Sequence, residues 1–174
     1  MSGAPRYDLP EIDDFTRPFW DAAAEGRLLL RRCGACGRAH HYPREFCPHC
    51  WSEDVVWEQA SGRAVLYTWS VVHRNDLPPF GGRVPYTAAV VDLAEGPRMM
   101  TEIVECAEED LAIGVELEVA FRAAGVPAPG GGEGSGGGGE ESSPPPPVPV
   151  FRALRQRSAQ GQSSSLAQTP ASRR

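Results

Sequence analysis

The sequence predicts a mainly β protein, in which a short N-terminal helix and a cysteine-rich metal-binding segment precede a small antiparallel barrel or sandwich. Two observations favour this fold class. Four of the five cysteines form two closely spaced CxxC pairs, and most segments that follow alternate apolar and polar residues with the period of a strand. With 174 residues, of which 41% are hydrophobic, the chain can form one domain with a core, or one domain and a small satellite.

The segment 16–26 predicts the helix. Thr16 is an N-cap candidate, a proline follows early, and Gly26 comes after a run of helix-forming residues, which are the usual signals for the start and end of a helix. Phe19 and Trp20 belong to an apolar side with the spacing of a packing face. Two large aromatic residues on so short a helix are also candidates for contact with a partner.

The spacing C-x2-C-x10-C-x2-C is the strongest chemical signal in the sequence. Each CxxC turn aims two thiolates at one ion, and two turns complete a tetrahedral site that zinc favours. Iron in the same cage stays open as an alternative, and a pair of redox dithiols is the weaker interpretation. Because four thiolates leave no position for water, the metal is predicted to be structural. The four predicted ligands are Cys33, Cys36, Cys47 and Cys50.

Three histidines lie among the cysteines: His40, His41 and His49. They would be needed as ligands only if a cysteine were absent, so we expect them to be exposed around a filled site. For His49, inside a CxxC turn, a hydrogen bond to a sulfur is a further expectation.

Strand patterns follow the metal segment. They cover residues 62–74, 85–93, 98–105 and 115–122 and are rich in β-branched and aromatic residues. Residues 123–147 are dominated by Gly and Pro, so we expect them to be disordered. Apolar alternation returns at Val148–Arg152, which predicts a closing strand and makes the Gly/Pro stretch a long hairpin loop. Pro149 should confine that strand to an edge or a bulge.

Charge and composition exclude several classes of function. Up to Gly125, twelve Arg oppose twenty Asp or Glu, which argues against nucleic acid as a partner because phosphate contacts need a basic face. There is no membrane-span pattern and no signal-peptide pattern, and paired cysteines suit a reducing compartment, so we expect a cytoplasmic protein. No catalytic set is visible: His73 lacks a neighbouring nucleophile in sequence, and acidic neighbours should raise the pKa of the Cys106 thiol.

A four-cysteine ribbon that leads directly into a five-stranded barrel resembles a known family, the zinc-ribbon plus OB-fold proteins called domain of unknown function thirty-five. The resemblance covers roughly Asp14 to Phe121, and Val148–Arg152 resembles the family's closing strand. The motifs that carry it are Phe19-Trp20 to Gly26-Arg-Leu, Arg32-Cys-Gly-Ala-Cys-Gly, Pro43, Cys47-Pro-His-Cys50, Gly62-Arg-Ala-Val-Leu-Tyr-Thr-Trp, Pro85-Tyr86 and Ile113-Gly114-Val-Glu-Leu-Glu-Val.

The resemblance implies a rubredoxin-like ribbon, an OB-fold barrel and no catalytic activity. It implies an accessory subunit that binds a thiolase-like enzyme of the lipid-transfer-protein type, or an acyl-CoA hydratase subunit, in lipid, sterol or polyketide metabolism, with acyl-CoA as a further ligand. The domains predicted on this basis are an N-terminal extension and helix at 1–30, a zinc ribbon at 31–58, an OB-fold at 59–154 that contains the disordered insertion 123–147, and a disordered tail at 155–174.

On this interpretation, the barrel residues closest to the acyl-CoA channel are Tyr67, Trp69, Phe80, Arg83 and Tyr86. The alternative is a single-stranded nucleic-acid module, because OB barrels stack bases on surface aromatic residues. The acidic charge of the folded part disfavours that alternative. An independent enzyme would need an open metal site or a catalytic set that the sequence does not display.

Overall fold

A computed structural model describes residues 10–77, 80–124 and 145–154 of the chain. One short helix, a three-stranded sheet and a closed five-stranded barrel follow one another, which confirms the predicted fold class. The elements are α1 (Arg17–Ala24), β1 (Leu29–Cys33), β2 (Ala39–His40), β3 (Val55–Gln59), β4 (Arg63–Val72), β5 (Tyr86–Leu93), β6 (Arg98–Ile103), β7 (Glu116–Arg122) and β8 (Val148–Ala153), with 3-10 turns at Phe80–Arg83 and Glu108–Asp110. Across these described ranges, no helix combines the length and the apolar character that crossing a membrane requires.

Helix α1 lies where the sequence predicts it. Thr16 occupies the N-cap position, but its side chain does not cap the helix. The Thr16 hydroxyl instead donates a hydrogen bond to Asp13 Oδ1 (2.6 Å), which also accepts from the Thr16 backbone N–H (2.7 Å). At the other end Gly26 has a φ of +75°, and the N–H of Arg27 donates to the carbonyl of Ala22 (2.8 Å). This is the left-handed ending that glycine permits.

Strands β1, β2 and β3 form the ribbon sheet, which is antiparallel with β1 in the centre. Arg31 of β1 is buried. Its guanidinium carbon lies 4.8 Å from the ring centroid of Trp57 and 5.5 Å from that of Phe15, and its Nη2 donates to the carbonyl of Val55 (3.0 Å). Burial lowers the pKa of Arg31. The two aromatic faces thus surround a cation inside the ribbon.

The barrel has the strand order β4-β5-β6-β8-β7, and β7 returns to β4 to close it. Four of its neighbouring pairs are antiparallel, whereas β6 and β8 are parallel through the pairing of Ile103 with Phe151. The expectation of an entirely antiparallel barrel was therefore wrong for this pair. Strand β8 enters between β6 and β7, and its hairpin pairing with β7 fixes its direction, so it runs parallel to β6.

The closing strand β8 confirms the pattern at Val148–Arg152, and its antiparallel register with β7 confirms the hairpin. Pro149, however, does not lie on an edge, because β8 has a neighbour on both sides. It pairs with Phe121 of β7, and its carbonyl accepts a hydrogen bond from Thr101 Oγ1 (3.2 Å). Strand β8 pairs with β6 at Phe151, two residues beyond Pro149, so the strand tolerates a residue without N–H near its start. The disorder predicted for most of 123–147 and for 155–174 lies outside the described residues.

One hydrophobic core joins the helix, the ribbon and the barrel. Phe19 of α1 and Leu30 of β1 belong to the same buried cluster as Leu66, Val91 and Phe151 of the barrel. The ribbon therefore packs directly on the barrel. The domain boundaries predicted at 30/31 and 58/59 stay a prediction.

Candidate metal centre and ligand surface

The four cysteines of the two CxxC turns converge on one point. Their sulfur atoms all lie within 4.8 Å of one another; Cys33 and Cys50 are 3.6 Å apart, and Cys36 and Cys47 are 3.7 Å apart. Sulfurs bound at about 2.3 Å in a tetrahedron around one zinc ion would be about 3.8 Å apart. All four thiols are free, and the separations far exceed the roughly 2.05 Å of a disulfide. The donor set thus fits a four-coordinate metal ion.

Both CxxC turns have the same backbone construction. In the first, the N–H of Gly37 donates to the carbonyl of Cys33 (2.9 Å), and in the second the N–H of Trp51 donates to the carbonyl of Cys47 (2.9 Å). The residue that follows each CxxC pair adopts a left-handed conformation, with φ of +73° at Gly37 and +63° at Trp51. Matching turns present their thiols to a shared point from two sides.

The thiols of the cage titrate unequally. A backbone hydrogen bond from Cys36 lowers the pKa of the Cys33 thiol to about 7. For Cys50, a backbone hydrogen bond from Ser52 acts downward, but the neighbouring sulfurs, Cys33 foremost, together with burial raise the pKa to about 12. Four thiolates therefore coexist near neutral pH only if a cation offsets their mutual repulsion.

His40 and His49 differ in exposure. The expectation of exposure was wrong for His40, which is only 4% exposed, because β2 pairs it with Arg31 of β1 and carries it into the ribbon. His49 is exposed as expected. Its backbone N–H, not its ring, donates to the Cys47 sulfur (3.4 Å). Within the described ranges, only the four cysteines form a group close enough to share an ion.

His41 is also less exposed than expected. Its ring centroid lies 4.3 Å from that of Tyr42 and 6.1 Å from that of Phe19, and both ring nitrogens are buried. Burial lowers the pKa of His41 to about 4. The ring is therefore neutral at physiological pH and packs between the ribbon and the helix.

Three of the predicted barrel residues come together. Arg83 is only 8% exposed, and its guanidinium carbon lies 5.8 Å from the ring centroid of Phe80 and 5.6 Å from that of Tyr86. Arg83 forms an ion pair with Glu102, and Asn75 Nδ2 donates to the Tyr86 hydroxyl (3.0 Å). These three residues help to line a cavity of 240 Å³.

The other two barrel candidates lie apart from this cluster. A bulge between Leu66 and Thr68 interrupts the pairing of β4 with β5, so the alternation of the strand shifts by one residue. Trp69 therefore packs against the core, while Tyr67 is exposed with the Arg98 guanidinium 3.4 Å from its ring centroid. Strict alternation along β4 would place both aromatic residues on one face of the sheet. The sequence carries no signal for the bulge that separates them.

Phe19 and Trp20 border an apolar groove of 440 Å³ between α1, the segment after β2 and the barrel. Their rings meet edge to face, with centroids 4.9 Å apart. Met100, Val148 and Pro149 line both this groove and the cavity beside Arg83. The two therefore adjoin, and together they form the candidate ligand surface. Five predicted residues border it: Phe19, Trp20, Phe80, Arg83 and Tyr86. Sequence reasoning missed Met100, whose exposure depends on how the barrel closes.

Two family models match adjacent parts of the chain. The rubredoxin-like zinc ribbon domain of ChsH2 matches residues 20–56, and the C-terminal OB-fold domain of ChsH2 matches residues 57–122. The first match contains all four cysteines of the cage. The ribbon and the OB-fold expected from the resemblance are thereby confirmed.

Curated relatives include subunits and scaffold proteins. A probable enoyl-CoA hydratase alpha subunit of Thermomonospora curvata is 39% identical over 98 residues, which are 56% of this chain and 30% of the relative. A DUF35 domain-containing scaffold protein of Methanocaldococcus jannaschii is 39% identical over 96 residues, 55% of this chain and 67% of the relative. The benzoylsuccinyl-CoA thiolase subunit BbsA of Geobacter metallireducens is 31% identical over 97 residues, 54% of this chain and 64% of the relative. The chain thus matches less than a third of the hydratase subunit.

Among solved structures, the one described as "Ltp2-ChsH2(DUF35) aldolase" is similar with a TM-score of 0.62 and 30% sequence identity. The similarity covers 83% of this chain and 98% of the matched chain. The helix, ribbon and barrel therefore form an arrangement that a solved relative shares.

Proposed function

Because the chain belongs to the DUF35 family of zinc-ribbon and OB-fold scaffold-type proteins, we propose that it is a non-catalytic accessory subunit. Its partner is a thiolase-like enzyme of the lipid-transfer-protein type or an acyl-CoA hydratase subunit. The closed sulfur cage carries the proposal: four sulfurs fill a tetrahedral ion, so no position remains for water or substrate. Relatives named as a hydratase subunit and a thiolase subunit support the class of partner.

The environment of the fifth cysteine supports a non-catalytic role. Burial raises the pKa of the Cys106 thiol, and the charges of Asp110 and Glu109 raise it further. A reactive cysteine requires the opposite, a thiolate favoured by positive neighbours. His73, the other residue considered for chemistry, lies exposed beyond the end of β4.

Zinc is the ion that we propose for the cage. The separations between the sulfurs suit a tetrahedral ion, and the matched ribbon model is that of a zinc ribbon. Its role is to hold the ribbon in one conformation. Because four ligand thiols must stay reduced to bind it, we place the protein in the cytoplasm.

Acyl-CoA is the small molecule that we propose for the ligand surface. The groove beside Phe19 and Trp20 is mainly apolar in its lining and has a volume suited to an acyl chain. The adjoining cavity is lined by Arg83, whose guanidinium lies near the rings of Phe80 and Tyr86 and pairs with Glu102. A guanidinium suits a phosphate or a thioester carbonyl. Tyr67 and Trp69 lie outside this surface, and their contact with a ligand or partner stays a prediction.

The test uses the full chain and a thiolase-like or hydratase subunit from the same organism. The two proteins are co-expressed with an affinity tag on only one of them, and the complex is measured by light scattering after gel filtration. Acyl-CoA turnover is assayed for each protein alone and for the complex, and binding of a single-stranded oligonucleotide serves as the control for the alternative function.

We expect a stoichiometric complex, no turnover by this chain alone and no oligonucleotide binding at physiological salt. Turnover by this chain alone would contradict the non-catalytic role. Salt-sensitive oligonucleotide binding without any complex would favour the nucleic-acid alternative.

A further inference from the structure

Trp51 directly follows the second CxxC pair and is 74% exposed. Its ring stacks on that of Phe46, with centroids 5.3 Å apart and planes inclined by 18°. The pair, made of Phe46 and Trp51, forms an aromatic tip on the ribbon, and Trp51 is the chain neighbour of Cys50, an exposed residue of the cage.

The backbone at Trp51 is costly for a tryptophan. Trp51 has a φ of +63°, in the left-handed region that glycine adopts freely and that a residue with a Cβ adopts only at a steric cost. The other CxxC turn has glycine at the equivalent place, Gly37, with a φ of +73° and the same backbone hydrogen bond. A glycine would therefore serve the metal turn better than the tryptophan that is there.

Packing does not explain the tryptophan either. Trp51 is absent from the core cluster and from the residues that pack against it, and most of its surface faces outward. Strained residues that the fold does not require are typical of binding sites. Tryptophan is also among the residue types that concentrate binding energy at protein interfaces.

We propose that Trp51, supported by Phe46, is an anchor that inserts into an apolar pocket of the partner enzyme subunit. The inference rests on the proposed function and deepens it by naming the contact. The cage rigidifies the turn, so the indole is held in position before binding and loses little conformational freedom on insertion.

The charge around the aromatic tip predicts which residues surround the pocket of the partner. Residues 44–54 contain one arginine against Glu45, Glu53 and Asp54. A divalent ion with four thiolates adds a net charge of about −2. The pocket should therefore be rimmed by Lys or Arg. Two copies of this chain meeting tip to tip would bring like charges together, which argues against self-association through this surface.

The experiment measures the affinity of the full zinc-loaded chain for a thiolase-like or hydratase subunit from the same organism. The variant is Trp51→Gly, and the matched control is Ile113→Ala, which trims a side chain that is 75% exposed on the connection before β7. Thermal unfolding, zinc content and sedimentation are recorded for each protein.

We expect Trp51→Gly to weaken partner binding by at least about tenfold, without lowering the melting temperature or the zinc content. Ile113→Ala should change neither affinity nor melting temperature, and the wild-type affinity should fall as salt rises. Wild-type binding that Trp51→Gly leaves unchanged would overturn the anchor while the proposed function stands. Absence of wild-type binding would overturn both. A lower melting temperature in Trp51→Gly, or a dimer lost with it, would assign Trp51 to folding or to self-association and overturn the anchor as well.

Discussion

Gly62 illustrates how a single residue sets the start of the barrel. It has a φ of +75°, and a Cβ built there would lie 2.6 Å from Cγ1 of Val119. Its carbonyl also accepts a hydrogen bond from the N–H of Val119 (2.8 Å). The glycine is thus required twice, once by the backbone conformation and once by the close approach of β7.

Gly62→Ala should therefore lower the free energy of unfolding by about 2 kcal/mol or more, since a positive φ and an overpacked contact each cost about 1 kcal/mol or more. Gly96→Ala is the matched control, because Gly96 has a φ of +105° but no neighbour within 4 Å of the added Cβ. Urea unfolding of both variants gives the comparison. Equal losses of unfolding free energy in the two variants would show that the contact with Val119 relaxes at no cost.

His41 carries a prediction about pH. Burial holds its pKa at about 4 in the folded chain, below its ordinary 6.5. The unfolded chain therefore takes up a proton first as pH falls, so the stabilisation is complete above about pH 6.5 and is lost progressively towards pH 4. Between pH 7 and pH 5.5 this one group should lower the free energy of unfolding by about 1 kcal/mol.

The measurement is urea unfolding of the wild type and of His41→Asn at both pH values. The difference in unfolding free energy between the two proteins should change by this amount, because all other titrating groups are shared. If the difference in unfolding free energy did not change with pH, the His41 pKa would be the same in the folded and the unfolded chain.

Secondary structure was predictable wherever local chemistry decides it. Helix α1 follows its early proline and its glycine stop signal, although the Thr16 side chain does not cap it. The alternation of 115–122 returns as β7. The CxxC spacing likewise sufficed for the cage, because two short turns determine where the sulfurs point. Elements whose surroundings depend on distant partners were less predictable. His40 is buried because β2 pairs with β1, and the bulge beside Tyr67 depends on how β4 meets β5.

The residues of the candidate site differ in the same way: some positions follow from local sequence, and others depend on distant strands. Phe80, Arg83 and Tyr86 lie close together in sequence around one 3-10 turn, so their proximity follows from local structure. Met100 and Pro149 join the ligand surface only through closure by β8. Trp51 was missed, although its signal is present in the sequence: one CxxC pair is followed by glycine and the other by tryptophan.

The ribbon as an element should depend on its ion. Cys36→Ser removes one of four sulfur ligands, so we expect loss of bound metal and loss of the ribbon's fixed conformation, because structural zinc supplies folding free energy directly. Elemental analysis should give close to one zinc per wild-type chain and much less in the variant. Limited proteolysis should then cleave within 34–54. A ribbon that stays protected without metal would contradict the structural role, and iron in the wild type would correct the identity of the ion.

At the scale of the whole molecule, the shared core makes the ribbon and barrel one body on which two surfaces are available. One is the apolar groove with the adjoining cavity beside Arg83, and the other is the aromatic tip beside the cage. A scaffold needs its contact residues held in fixed positions, since ordering them on binding would cost affinity. Under the proposed function the metal provides this for the ribbon, and the closed sheet provides it for the barrel.

The most direct measurement is a calorimetric titration of the thiolase-like or hydratase subunit with this chain, comparing the zinc-loaded wild type with Cys36→Ser. If the metal fixes a platform for a partner, the wild type should bind at one defined stoichiometry, and the variant should bind at least about tenfold more weakly. The wild type alone should leave acyl-CoA unchanged. Equal binding by the two proteins, or no binding by the zinc-loaded wild type, would contradict the role of the metal-fixed ribbon as a docking platform.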